Sequence, residues 1–304
     1  MEEHFECHKI DTLRIGIHTS IAASLEQAAI KAADLGANTF QIFSSSPRMW
    51  RASIPDPDDI ARLRRARRRF DLKPLAIHVN YLVNLAAADP EIRARSIAAF
   101  RGELERAEAI GAEHLVLHPG SYRGRTPAEG IQAVALGLEE AASGLGDLRT
   151  IVLLENTVGC GAQLGGRFDE LKAIRDRALP LGRMRIGYCL DTCHLLASGY
   201  NIATAAGLEH MIRDAEHTLQ LCHVKMFHAN DSKSPPGSHL DRHENIGEGY
   251  IGIQGFRRIL AHPKLRSKPF ILETPVEEEG DDRRNLENLK RLCPKSRTTI
   301  TRSS

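Results

Sequence analysis

The chain has 304 residues, 42% hydrophobic and 26% charged, which are ordinary proportions for a protein built round a large core and exclude a mainly disordered chain. Lys plus Arg total 41 against 39 Asp plus Glu, and a net charge of +2 gives no global field for a polyanion, so any nucleic-acid contact must be local. No apolar run approaches the ~18 residues of a membrane span, the start MEEHFECHKIDT lacks a basic and apolar leader, and six cysteines without a Cys-x-x-Cys pair are too sparse for a disulfide scaffold.

Such a chain is expected in the reducing cytoplasm, away from membranes. Short runs rich in Ile, Val, Leu and Phe alternate with longer amphipathic stretches, the pattern of βα units. In chain order, LRIGIH at 13–18 reads as a strand and 25–35 as a helix. TFQIF at 39–43 is followed by a helix over 58–70, and PLAIH at 74–78 by a helix over 90–110 that Asp89 and Pro90 start. HLVLH at 114–118 precedes a helix over 128–142. IVLLE at 151–155 and RIGYCLD at 185–191 are strands, and a helix covers 205–218. HVKMFH at 223–228 and PFILE at 269–273 complete eight strands, with a last helix over 282–292. Eight such units in one run predict a single-domain α/β fold, a (β/α)8 TIM barrel over 13–294. Residues 1–12 and 295–304 read as a flexible N-terminal extension and tail, and His4, Cys7 and His8 as part of that arm.

Six of these strands end on a polar side chain: His78, His118, Glu155, Asp191, His228 and Glu273, spaced 40, 37, 36, 37 and 45 residues apart. That is about one βα repeat each time, so a barrel would gather all six at the C-terminal rim of its strands, where active sites of this architecture lie. A buried imidazole or carboxylate there has no stability reason to be present.

Two local patterns add to them. DTCH supplies Asp191 and His194, and DRHENIGEG supplies Asp241 and His243. Five histidines, two aspartates and two glutamates exceed the about four ligands of one tetrahedral zinc, so more than one metal is implied. Imidazole mixed with carboxylate, without thiolate, favours Zn, Mn or Fe over Mg or Ca and suits hydrolysis.

These segments resemble the endonuclease IV family of apurinic/apyrimidinic endonucleases. The matching stretches are HVNYLVNLA at 78–86, HPGS at 118–121, LLENT at 153–157, GYCLDTCHLLASGYN at 187–201, HANDSK at 228–233, DRHENIGEG at 241–249 and ILET at 271–274. The resemblance implies a barrel with three zinc ions per subunit and a ligand of the expected type at every position. His78, His118 and a bridging Glu155 would hold one zinc. Glu155, Asp191, His228 and Glu273 would hold the second, and His194, Asp241 and His243 the third, with Glu155 and Glu273 as catalytic carboxylates. It implies, as substrate and partner, double-stranded DNA containing abasic sites, incised 5′ to the lesion to leave a 3′-hydroxyl and a 5′-deoxyribose phosphate, with trimming of blocked 3′ ends. No obligate protein partner is implied, and a monomer is expected.

The same resemblance places Arg48, Tyr81 and Leu82 where side chains enter the duplex. From the residues alone, Tyr81 and Leu82 read as loop-packing side chains and Trp50 as packing. RLRRARRR at 62–69 reads as a solvated helix surface, its arginines spread round the helix. Cys189 is expected inside the barrel, Cys193 and His18 beside the ligands. Two rival readings remain in view. A metal-dependent sugar isomerase or epimerase shares the barrel and a two-metal rim but has no need of His194, Asp241 and His243. A DNA-binding protein with structural zinc would show closed, thiolate-rich sites.

Overall fold

The computed structural model describes residues 13–46, 49–182 and 184–294. The expected flexible ends and Arg48 lie outside the described residues. In chain order the elements are β1 (Ile15–His18), α1 (Leu25–Asp34), β2 (Thr39–Phe43), α2 (Pro57–Arg69), β3 (Leu75–His78), α3 (Pro90–Ile110) and β4 (His114–Leu117). Then come α4 (Pro127–Ala142), β5 (Ile151–Glu155), α5 (Phe168–Ala178), β6 (Arg185–Asp191), α6 (Thr192–Ala197), α7 (Ala205–Thr218) and β7 (Val224–His228). The hairpin of β8 (Asp231–Ser232) and β9 (His243–Glu244), α8 (Gly252–Ala261), β10 (Phe270–Leu272) and α9 (Asp281–Leu292) follow.

The eight long strands close into one parallel barrel in the order β1-β10-β7-β6-β5-β4-β3-β2, the expected TIM barrel. Helix starts follow the capping signals. Asp56 and Asp89 accept amide hydrogens of the first turns of α2 and α3, and Thr126 with Glu129 forms a capping box on α4. Each such cap is worth about 1 kcal/mol.

Apolar side chains divide into two groups. A large one lies between the strands and the surrounding helices, and a small one fills the barrel: Ala76, Val116, Leu153, Cys189, Met226 and Ile271. Side chains alternate in direction along a strand with period two. The residue two further on from each of these is therefore aimed at the barrel axis one layer higher, and those residues are His78, His118, Glu155, Asp191, His228 and Glu273. Hydrophobic filling below sets the polar layer above. On β1 and β2, His18 and Gln41 enter the same region, and Cys189 sits in the interior as expected.

The arginine run is divided in its uses. Arg62 pairs with Glu26 and Asp59, Arg64 donates to the Ala109 carbonyl and Arg67 forks onto Glu113, whereas Arg65, Arg68 and Arg69 are exposed. Trp50 packs against the core from a partly buried position.

Candidate metal centre

Glu155, the last residue of β5, is fully buried and lies at the middle of the polar layer. Its two oxygens face different ways: Oε2 lies 3.2 Å from His78 Nε2 and 3.0 Å from His118 Nε2, while Oε1 lies 2.8 Å from His228 Nδ1. Glu273 approaches His228 Nδ1 with Oε2 at 3.3 Å. Asp191 ends β6 and caps α6, its Oδ1 accepting from His194 N at 2.8 Å. The three-residue spacing of DTCH thus turns a strand end into a helix start and sets His194 beside the same layer. From the long loop after β7, Asp241 reaches His194 Nε2 and His243 Nε2, both at 3.3 Å.

The donor atoms fall into groups within 4.8 Å of one another: His78, His118 and Glu155; Glu155, Asp191, His228 and Glu273; and His194, Asp241 and His243. All nine expected residues are brought together. A fourth grouping, Asp191, Cys193 and His243, overlaps the third. Cys193 Sγ donates to the Arg242 carbonyl at 3.6 Å, which ties α6 to the loop carrying Asp241.

Ring orientation is fixed from outside the layer. His78 Nδ1 donates to Val79 O at 2.7 Å, His194 Nδ1 to Asn156 O at 2.8 Å and His243 Nδ1 to Glu273 O at 3.0 Å. For His228 the outer nitrogen is Nε2, which donates to Gln41 Oε1 at 2.9 Å. In each case the other nitrogen faces the carboxylates. Anchoring one ring N–H on a carbonyl or amide fixes the tautomer and directs the second nitrogen's lone pair, the usual support of a metal-ligating histidine. His243 Nε2 is buried without a hydrogen bond, since its 3.3 Å approach to Asp241 lacks hydrogen-bond geometry. Nitrogen and oxygen donors without thiolate, one bridging carboxylate and an orphaned ring nitrogen fit divalent cations such as zinc.

The electrostatics agree with a site built to gather positive charge. Burial raises the Glu155 pKa, but the facing His228 and His118 outweigh it and hold the carboxyl well below its ordinary range. Asp241 is likewise held far down against its burial by the facing His194 and His243 rings, each 3.3 Å away. Burial lowers the pKa of His194, yet the Asp191 charge and the Asp241 contact raise it to about 10, and the same causes bring His243 to about 9. A proton and a cation compete for these nitrogens, so cation uptake and proton release are linked.

Three residues here escaped the sequence reading. Gln41 Nε2 donates to Glu273 Oε1 at 2.5 Å and approaches His18 Nδ1 at 3.1 Å, so one amide orients His228, Glu273 and His18 together. Asn156 accepts from Asp191 N at 2.7 Å, and Asn230 donates to Asp191 Oδ2 at 2.5 Å while accepting from Glu273 N at 2.8 Å. A glutamine at inward parity in the apolar run TFQIF, and asparagines directly after or two beyond a strand end, were the readable signals.

Tyr81 stands on the rim, 66% exposed, its ring 5.5 Å from that of His78 and 6.2 Å from that of His118; Leu82 is half-buried. Asn80 joins the two rim loops, accepting from Leu82 N at 3.0 Å and donating to Met49 O at 3.4 Å. The loop between β2 and α2 is held from below by a buried pair on α3. Arg106 Nη2 meets Glu103 Oε1 at 2.9 Å, Arg106 Nε donates to Ser44 Oγ at 2.7 Å and Nη1 to Ala52 O at 3.1 Å, and Ser44 Oγ donates to Glu103.

A family model described as a xylose isomerase-like TIM barrel matches residues 30–292. The probable endonuclease 4 of Solibacter usitatus is 65% identical over 92% of this chain and 97% of its own, and that of Methanoculleus marisnigri 39% identical over 92% and 98%. Among solved structures, endonuclease IV from Thermus thermophilus superposes with a TM-score of 0.81 at 34% identity, covering 92% of this chain and 98% of that one. A D-tagatose 3-epimerase-like protein, at 20% identity and a TM-score of 0.65, shares the fold alone. With two-thirds of its positions identical to one such relative along nearly the whole of both chains, this chain belongs to the endonuclease IV family.

Proposed function

We propose that this chain is a zinc-dependent endonuclease of base excision repair, which hydrolyses the phosphodiester 5′ to an abasic site in duplex DNA, leaves a 3′-hydroxyl and a 5′-deoxyribose phosphate, and trims blocked 3′ ends. Three zinc ions per chain are expected: one held by His78, His118 and Glu155, one by Glu155, Asp191, His228 and Glu273, and one by His194, Asp241 and His243. The observation that carries the reading is the set of anchored imidazoles, each with its free nitrogen turned toward a carboxylate that serves the same cluster. Cations bound there supply Lewis acidity, lowering the pKa of a water to near neutrality and neutralising charge on a departing sugar oxygen.

The chain's own groups do the arranging. Glu155 and Glu273 are the catalytic carboxylates, and Glu155 splits its two oxygens between two clusters, which fixes their separation. His194, Asp241 and His243 place a third cluster to one side, and an in-line displacement needs charge compensation at both the attacking and departing oxygens. Tyr81 and Leu82 would meet the duplex at the lesion, where an aromatic or apolar side chain takes the place of a missing base, and the resemblance assigns Arg48 to the same contact. Membrane attachment is not needed for this chemistry, and none of the described helices is long and apolar enough to cross a bilayer. The reading takes the chain as a cytoplasmic monomer.

The test is to incubate the purified metal-loaded protein with an end-labelled duplex carrying one abasic site, with intact duplex, and with a panel of ketoses and aldoses. Expected is a single cut with a polymerase-extendable 3′ end, abolished by a chelator, restored by zinc and lost in Glu155→Gln. Sugar interconversion without cutting would overturn the reading in favour of an isomerase. Elemental analysis of fully active protein is expected to give close to three zinc per chain, and a single tightly bound ion would refute the three-cluster arrangement.

A further inference from the structure

Two motifs contain residues that the metal reading leaves without a role: Asp231 in HANDSK, and the glycines of DRHENIGEG. Asp231 is completely buried, and its carboxylate accepts five backbone amide hydrogens. Oδ1 takes those of Ser232 at 2.8 Å and Ile251 at 2.9 Å, and Oδ2 those of Gly247 at 3.0 Å, Gly249 at 3.1 Å and Gly252 at 3.1 Å. Ile251 and Gly252 open α8, which has no side-chain cap of its own. The carboxylate therefore serves as a cap delivered from about twenty residues upstream, satisfying amides that a helix start otherwise leaves open and meeting the positive end of the helix. The cradle is closely fitted. A Cβ on Gly249 would lie 2.4 Å from Ser232 O and 2.6 Å from Asp231 Oδ1, and Gly247 holds φ at +91°.

The segment that Asp231 closes in this way carries Asp241 and His243. β8 pairs antiparallel with β9, Ser232 opposite His243, and Lys233 N donates to Arg242 O at 2.8 Å. Tying 247–252 to Asp231 thus fixes both ends of the loop whose middle faces His194. We propose that Asp231 is the positioning residue of the His194, Asp241 and His243 cluster: an internal carboxylate, folded round by the chain, that sets the third metal's two loop ligands opposite the ligand on α6.

The proposal rests on the three-cluster reading for its metal consequence, and its backbone consequence stands apart from that reading. The test uses the full metal-loaded chain, comparing wild type with Asp231→Asn, Asp231→Ala and Gly249→Ala, the last of which keeps the carboxylate and crowds its cradle. Hydrogen exchange at the amides of Gly247, Gly249, Ile251 and Gly252 is expected to speed up by about tenfold or more in all three, with the amides of β3 to β6 unchanged. Elemental analysis is expected to show the loss of about one metal per chain and retention of the others. A core truncation of matched melting temperature, Ile174→Ala, is expected to keep the full metal complement, which separates positioning from general weakening. If an aspartate variant does not fold, Gly249→Ala decides. Unchanged exchange at the four amides, or faster exchange with a full metal complement, would overturn the proposal. A wild type that binds fewer than three metals would count against the three-cluster reading, while the exchange result would still judge the anchor.

Discussion

On the proposed reading, removing the Tyr81 ring would separate recognition from chemistry. The side chain is 66% exposed, its ring edge-on to Phe43 at 5.6 Å and tilted to His78 at 5.5 Å between centroids, so Tyr81→Ala is expected to change folding stability by about 1 kcal/mol at most. None of the nine clustered donors belongs to it, so metal content is expected to stay at the wild-type value. In the complex, an aromatic surface stacked on a base is worth ~1–3 kcal/mol, which corresponds to a loss of about ten- to hundredfold in affinity for abasic duplex. Intact duplex offers no gap for the ring, so the loss there is expected to be severalfold at most. The phenol carries no charge, and the salt dependence of binding is expected to keep its slope. Tyr81→Phe retains the stacking surface and is expected to bind nearly as wild type does. Fluorescence anisotropy with abasic and intact duplexes at two salt concentrations, alongside elemental analysis, measures all of these. Equal losses on both duplexes would make Tyr81 a packing residue and refute the argument.

Gln41→Ala removes the acceptor for His228 Nε2 and the donor to Glu273, and the affinity for the metal that these two residues share is expected to fall by about 10- to 100-fold. Competition against a graded chelator reads this without reference to activity, and an unchanged affinity would remove Gln41 from the site's support. At the opposite end of the barrel, His114 begins β4 with Nδ1 buried and unpartnered, and burial lowers its pKa from 6.5 to about 4. The unfolded chain then binds the extra proton, so the stability at stake is present above about pH 6.5 and lost as pH falls towards 4, by about 2 kcal/mol between pH 7 and pH 5. Urea unfolding of wild type and His114→Leu at both pH values is expected to show the variant losing that much less on acidification. Parallel pH dependences would mean that His114 titrates normally in the fold.

The strands were legible because each is an apolar run between turn residues, and because period-two alternation carries a polar strand end to the axis whatever the helices do. Strand limits shifted by one or two residues, as at Leu13 and Pro269, which the runs included but which lie outside β1 and β10. Three helices were less legible. α6 showed only its start, at Asp191 and Thr192, because it is buried on every side and has no polar face to set a period. The N-cap residues of α5 and α8 are Arg167 and Ile251, neither with a side-chain hydrogen bond, and for α8 the missing cap is Asp231, far outside any local window. The nine clustered residues were readable by type and spacing, whereas Gln41, Asn156 and Asn230 offered only their parity or their place at a strand end, since their work is done by amide groups that loops and strands carry everywhere.

The arginine and glutamate buried on α3 hold Ser44 and Ala52, the two ends of one rim loop, and they do so through a hydroxyl and a main-chain carbonyl. None of the described residues between those ends takes part in this clasp. The loop is in this sense a cassette: apart from Trp50, which packs on the core, and the Met49 carbonyl, which accepts from Asn80, its described residues could be exchanged for those of a relative without touching its attachment. On the proposed reading, lesion preference and hydrolytic power would thereby be open to separate selection.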